Sequence, residues 1–193
     1  MYNFYGIYAS CRDAAWRAQI DFRINRLPIK VLAVTRQAGI SVIKNSAVNE
    51  LRKNEYGATI RYRGSWFIVY DDNLPHDEAR MVIAHELGHI LLGHQYRFSD
   101  HRFGDAGKKL RCEREADMFA ERLLAPACIL HELGITETEP LAKTCEIPYR
   151  IAAKRSKRMK ELEERSKFYK SPLEKTVADH FSDYIRTFQC NKK

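Results

Sequence analysis

The sequence lacks any long apolar run: no stretch approaches the roughly 18 consecutive residues that a membrane-spanning helix needs. Its start also lacks the basic-then-apolar pattern of a signal peptide, so a cytoplasmic protein with no membrane partner is expected. Paired cysteines are lacking too. The five present, Cys11, Cys112, Cys128, Cys145 and Cys190, are odd in number, scattered and never spaced C-x-x-C. This argues against a disulfide framework and fits reduced thiols in a cytoplasm. Acidic charge is scarce in one region: residues 150–193 hold 13 Lys/Arg against 6 Asp/Glu, so +7 of the formal +8 lies there. The remainder is typical of a globular chain. At 193 residues, 45% hydrophobic and 30% charged, it is long enough for one domain, or one domain with a small appendage.

The chain is organised around His85-Glu86-Leu87-Gly88-His89, inside an apolar run from Met81 to Leu92 that follows Pro75. Proline near the start and apolar residues on most sides predict a helix buried over much of its surface. Residues four apart share a helix face, so His85 and His89 offer two imidazoles to one point, as a divalent metal requires. Glu86 projects beside them, within reach of a proton on a water held there. H-E-x-x-H alone can arise by chance on a charged helix. Here the flanks are apolar, and burying three unpartnered polar groups costs a few kcal/mol each, about 1–3 kcal/mol in proteins. One metal ion would satisfy all three.

A second helix is expected from Cys112 to about Pro126, with Ala116, Phe119, Ala120, Leu123 and Leu124 as its apolar face. Glu113 and Asp117 are four apart on it. Glu113 suits a third, anionic ligand, and Asp117 suits an acceptor for the free N–H of a ligating imidazole. Glu115 is an alternative ligand, and Cys112 a lesser one. Two histidines and one carboxylate leave a coordination position open, which is the arrangement of a catalytic zinc.

His85-Glu86-Leu87-Gly88-His89-Ile90-Leu91-Leu92-Gly93-His94, followed by Glu113 to Pro126, resembles the ImmA/IrrE family of metallo-endopeptidases. The likeness runs from about Leu27 to Pro126 and more loosely into the tail. It implies an α+β fold: a compact zincin-like (minigluzincin) domain with a small twisted sheet and an active-site helix, followed by a C-terminal helical segment. It implies Zn2+ bound by His85, His89 and Glu113, with Glu86 as catalytic base. The implied partner is a protein substrate, a helix-turn-helix transcriptional repressor whose cleavage derepresses mobile-element or stress genes. The sequence departs from the family pattern at Ala125, where methionine is common, and at Asp117, where asparagine is common.

The remaining segments frame this motif. A helix is expected from Ser10, with Trp16, Ile20, Ile24 and Leu27 as its stripe, and a second short helix from Pro28 to Gly39. Ile40–Ile43 reads as a strand. Thr59–Tyr62 and Trp66–Tyr70 read as a hairpin around Arg63-Gly64-Ser65, the second strand central because it is apolar throughout. A free strand edge beside the cleft could hold an extended peptide. Residues 93–110 read as a loop, with His94 and His101 as solvated loop histidines. An oxyanion-stabilising side chain is expected, with Tyr62, Tyr96, His94 and Tyr149 as candidates.

The tail suggests a capping box at Thr136–Glu139, a short helix, a longer helix from Pro148 to about Tyr169, and a final helix from Leu173 to Phe188. In outline this is a helix-turn-helix, with Tyr149, Arg150, Lys154 and Arg155 where base contacts would lie. The division expected is residues 1–132 as the metallopeptidase domain and 133–193 as a basic α-helical segment. The competing function is a DNA-binding or partner-binding regulator in which the metal site is structural or inactive.

Overall fold

In the computed structural model, residues 4–94 and 106–191 are described. His101 and Tyr96 lie outside them. The chain is mixed α+β, as expected, and its contacts group into two units.

The first unit takes in the chain up to Ala14 and Val31–Ala120. Its sheet has β1 (Ile40–Lys44), β2 (Gly57–Tyr62) and β3 (Ser65–Tyr70) in the order β1-β3-β2. β3 is central, parallel to β1 and antiparallel to β2. Its apolar sequence reflects this position, with Ile68 and Val69 buried. The β2–β3 turn places Arg63 and Gly64 at positive φ, 49° and 83°, the pairing whose twist suits a two-residue hairpin. α1 (Phe4–Asp21) and α2 (Val31–Gln37) precede the sheet, and a single turn, α3 (Asn45–Val48), follows β1. α4 (His76–Leu91) packs on β2, β3 and α2. It starts after Pro75 with Asp77 and Glu78 in its first turn, where carboxylates complement the helix dipole. It buries Met81, Ile83, Ala84 and Leu87. α5 (Ala106–Leu124) carries the second motif.

The second unit takes in Ala15–Lys30 and Glu121–Lys193. It holds α6 (Ala127–Glu132), α7 (Thr138–Cys145), α8 (Tyr149–Glu164), α9 (Pro172–His180) and α10 (Ser182–Cys190). Buried Gln19 donates its amide N–H to the carbonyls of Arg122 and Leu123, two of the last acceptors of α5, which its own helix leaves open. Arg155 Nε donates to the Ala125 carbonyl at 2.8 Å, just beyond that helix end.

Several expectations need correction. α1 ends at Asp21, and Arg23 takes a left-handed φ of 49°, so Ile24 and Leu27 are buried off the helix rather than along its stripe. α2 starts at Val31 and not at Pro28. α5 starts at Ala106, so residues 106–110 are helical and not loop. The capping box does not form: α7 is capped by Glu137 without a side-chain bond. The last helix is two helices that meet at Phe181, whose ring is fully buried.

Candidate metal centre

α4 and α5 approach closely at Gly88. A Cβ there would lie 3.0 Å from Phe119 Cδ1 and 3.3 Å from the Ala116 backbone. Glycine between the two histidines, facing alanine on the other helix, lets the helix backbones come together. Fully buried Phe119 sits against Gly88 at this crossing; truncating such a phenylalanine typically costs about 3–5 kcal/mol.

This approach brings three atoms to one point. His85 Nε2 lies 2.9 Å from His89 Nε2, and Glu113 Oε2 lies 3.3 Å and 3.7 Å from them. A tetrahedral ion with bonds of about 2.0–2.2 Å holds its ligand atoms roughly 3.4 Å apart. The three separations bracket that value, and two imidazoles with a carboxylate are a donor set for zinc-like ions. The residues therefore fit a divalent metal.

Charge at the site favours a cation. Glu113 is held well below the ordinary carboxylate range by a hydrogen bond from His85 and by the adjacent His89, against the opposing effect of burial. Burial acts to lower the His85 pKa, but hydrogen bonds to Asp117 and Glu113 and the charge of Glu86 outweigh it and push it up to about 9. Asp117 Oδ1 lies 2.8 Å from His85 Nδ1. The nitrogen facing Glu113 is thereby the one left for ligation.

Glu86 is 8% exposed, and Thr59 on β2 donates its hydroxyl to Glu86 Oε2 at 2.6 Å. The strand comes this near because position 57 is glycine: a Cβ there would meet Val82 Cγ1 at 2.5 Å and Glu86 Oε1 at 3.0 Å. Thr59 and Gly57 were not singled out from the sequence, where nothing local links a strand residue to a helix 27 positions on.

Glu115 and Cys112 do not join His85 and His89. They form a second buried cluster with His94. His94 is 1% exposed, which corrects its reading as a solvated loop residue. Its Nδ1 lies 2.9 Å from His89 Nδ1 and its Nε2 lies 3.0 Å from Glu115 Oε2. Gly93, at a left-handed φ of 68°, turns the chain back after α4, and this turn places His94 behind His89. A glycine-histidine pair just past the helix end is the signal that could have shown it. Of the oxyanion candidates, Tyr62 is exposed on β2 and His94 lies behind the ligand pair.

A family model described as the IrrE N-terminal-like domain of peptidase family M78 matches residues 35–157, which include every residue of both clusters. A solved structure described as a Mycobacterium tuberculosis transcriptional regulator matches 75% of this chain and 45% of its own, with a TM-score of 0.54 and 16% identity. At that identity the likeness is one of fold. No curated protein matches the chain. With the model spanning well over half of its length, the chain belongs to peptidase family M78, the ImmA/IrrE family of IrrE N-terminal-like domains.

Proposed function

We propose that the protein is a zinc-dependent endopeptidase that cleaves a helix-turn-helix repressor and so derepresses mobile-element or stress genes. The observation that supports this most is the convergence of His85 Nε2, His89 Nε2 and Glu113 Oε2 within 3.7 Å beside a buried glutamate. In this reading His85, His89 and Glu113 are the metal ligands, Glu86 is the general base, and Asp117 orients His85.

When bound, a zinc ion would supply a Lewis acid that polarises the scissile carbonyl and lets water lose a proton near neutral pH. Glu86 accepts that proton as the water oxygen bonds to the carbonyl carbon. It returns the proton to the departing amine as the C–N bond breaks. The Thr59 hydroxyl, bound to one Glu86 oxygen, restrains the carboxylate's rotation while it does so. β2 is an edge of the sheet and pairs only with β3 among the described residues. In this reading its outer edge takes an extended substrate segment by backbone hydrogen bonds, next to the acid it supports.

The division of labour belongs to the same proposal: residues 1–132 carry the chemistry, and residues 133–193 form a basic helical segment. Hydrogen bonds cross that boundary. Tyr169 donates to Glu132, and His131 Nδ1 pairs with Glu163 at 2.7 Å. The rival reading, a DNA-binding or partner-binding regulator with a structural metal, has no use for an acid at Glu86. It also loses one of its base-contact candidates, because Arg155 is buried with its Nε on the Ala125 carbonyl.

The test is co-expression with helix-turn-helix repressors of the source genome, read by intact mass. One specific cut is expected with the wild type. None is expected with Glu86→Gln, whose zinc content should be unchanged. Equal cutting by the variant would remove Glu86 from its role.

A further inference from the structure

We propose that His94 and Glu115 are positioning residues that fix the tautomer and orientation of His89. This rests on the reading of His89 as a metal ligand. The argument follows the protons. Arg111 Nε donates to Glu115 Oε1 at 2.8 Å, which favours the ionised carboxylate. An ionised carboxylate only accepts, so the hydrogen between Glu115 Oε2 and His94 Nε2, 3.0 Å apart, is on the histidine. A neutral His94 then has a bare Nδ1. That nitrogen lies 2.9 Å from His89 Nδ1, so the hydrogen between the two is on His89. His89 therefore presents a bare Nε2 towards His85 and Glu113, the form a ligand must have. With His94 neutral, Arg111, Glu115, His94 and His89 make one line of donors and acceptors whose hydrogens all point the same way.

The two ligand histidines are thus supported differently. His85 leans on Asp117, a largely exposed carboxylate on α5. His89 leans on a relay whose inner members, His94 and Glu115, are 1% and 4% exposed. The ring of His94 stands edge-on to His89, centroids 4.9 Å apart and planes at 74°, which limits tilting as well as choosing the tautomer. The same three buried side chains, His94, Cys112 and Glu115, could themselves gather around an ion. The Arg111 guanidinium on Glu115 disfavours a second cation there, and the relay already gives that carboxylate two donors.

The experiment measures zinc affinity of the full-length protein by competition with a chromophoric chelator, together with zinc stoichiometry. His94→Leu removes the acceptor at nearly constant volume. It is expected to weaken zinc binding about 10–100-fold, the range for loss of a group that supports a ligand. In His94→Asn the side-chain oxygen takes the place of Nδ1, and it should recover most of that loss. Glu115→Gln offers one acceptor oxygen to two donors. It should turn the relay round, put a hydrogen on His89 Nε2, and weaken zinc at least tenfold without changing the circular dichroism. That variant carries the test if His94→Leu does not fold. Wild-type affinity in both His94→Leu and Glu115→Gln would overturn the proposal. So would equal losses in His94→Leu and His94→Asn, which would mean packing alone, or two zinc ions per wild-type chain. A wild type that binds no zinc would instead remove the metal-centre reading on which the proposal stands.

Discussion

Thr59 and Glu86 are joined by a 2.6 Å hydrogen bond that ties the edge strand to the proposed base. The hydroxyl is the donor, so it holds one Glu86 oxygen and fixes the orientation of the carboxylate. A hydrogen bond to a charged group is worth about 1.5–3 kcal/mol. Thr59→Val should lower kcat of repressor cleavage by about tenfold or more, with zinc affinity unchanged. The check is a kcat measurement alongside zinc titration; a normal kcat would leave the bond without a catalytic part.

Gly57 makes that bond possible, because any side chain there runs into Val82 and Glu86. Gly57→Ala should push β2 from α4 and cost about 1–3 kcal/mol, as overpacking does. Thermal unfolding should show a lower Tm, and cleavage should fall further than Thr59→Val alone. An unchanged Tm would mean that the strand yields freely.

Zinc binding should depend on pH through His85. The proton on His85 must leave for Nε2 to ligate, and its pKa in the zinc-free protein is raised to about 9. Affinity should rise with pH by up to about tenfold per unit until about pH 9 and then flatten. Stability of the zinc-free protein runs the other way. A raised folded-state pKa contributes stability that is full below the unfolded value of 6.5 and lost as pH rises through 9. Isothermal titration in buffers of different ionisation heat counts the released proton. Affinity that is flat between pH 6.5 and 9 would contradict the ordering of charges at the site.

Asp117→Ala should weaken zinc about 10–100-fold, while Asp117→Asn, which keeps an acceptor for His85 Nδ1, should lose much less. Chelator competition on the two variants separates hydrogen bonding from charge. Equal losses would assign Asp117 a purely electrostatic part.

The features legible in the sequence were local. Two histidines four apart, and a glutamate and an aspartate four apart, declare their faces without reference to anything distant. β3 announced its central place by being apolar from Trp66 to Tyr70, and Arg63-Gly64 announced the hairpin. The contacts between elements were not legible. His94 is five past His89, a spacing that predicts divergence along a helix, and only the reversal at Gly93 brings it back. Glu115 reads as a rival ligand in the sequence, while its carboxylate faces His94 and Arg111. Thr59 looked like any alternating strand residue. The fold class could be read from patterns, but the support of each ligand depended on which helix and strand faces met.

The account's central claim is that His85, His89 and Glu113 share one ion. Crystals of the zinc-loaded protein, with anomalous data on either side of the zinc absorption edge, test it most directly. The account predicts one zinc peak per chain at about 2.0–2.2 Å from His85 Nε2, His89 Nε2 and a Glu113 oxygen. A peak bonded instead to His94, Cys112 and Glu115, or no peak in protein that has been offered zinc, would contradict it.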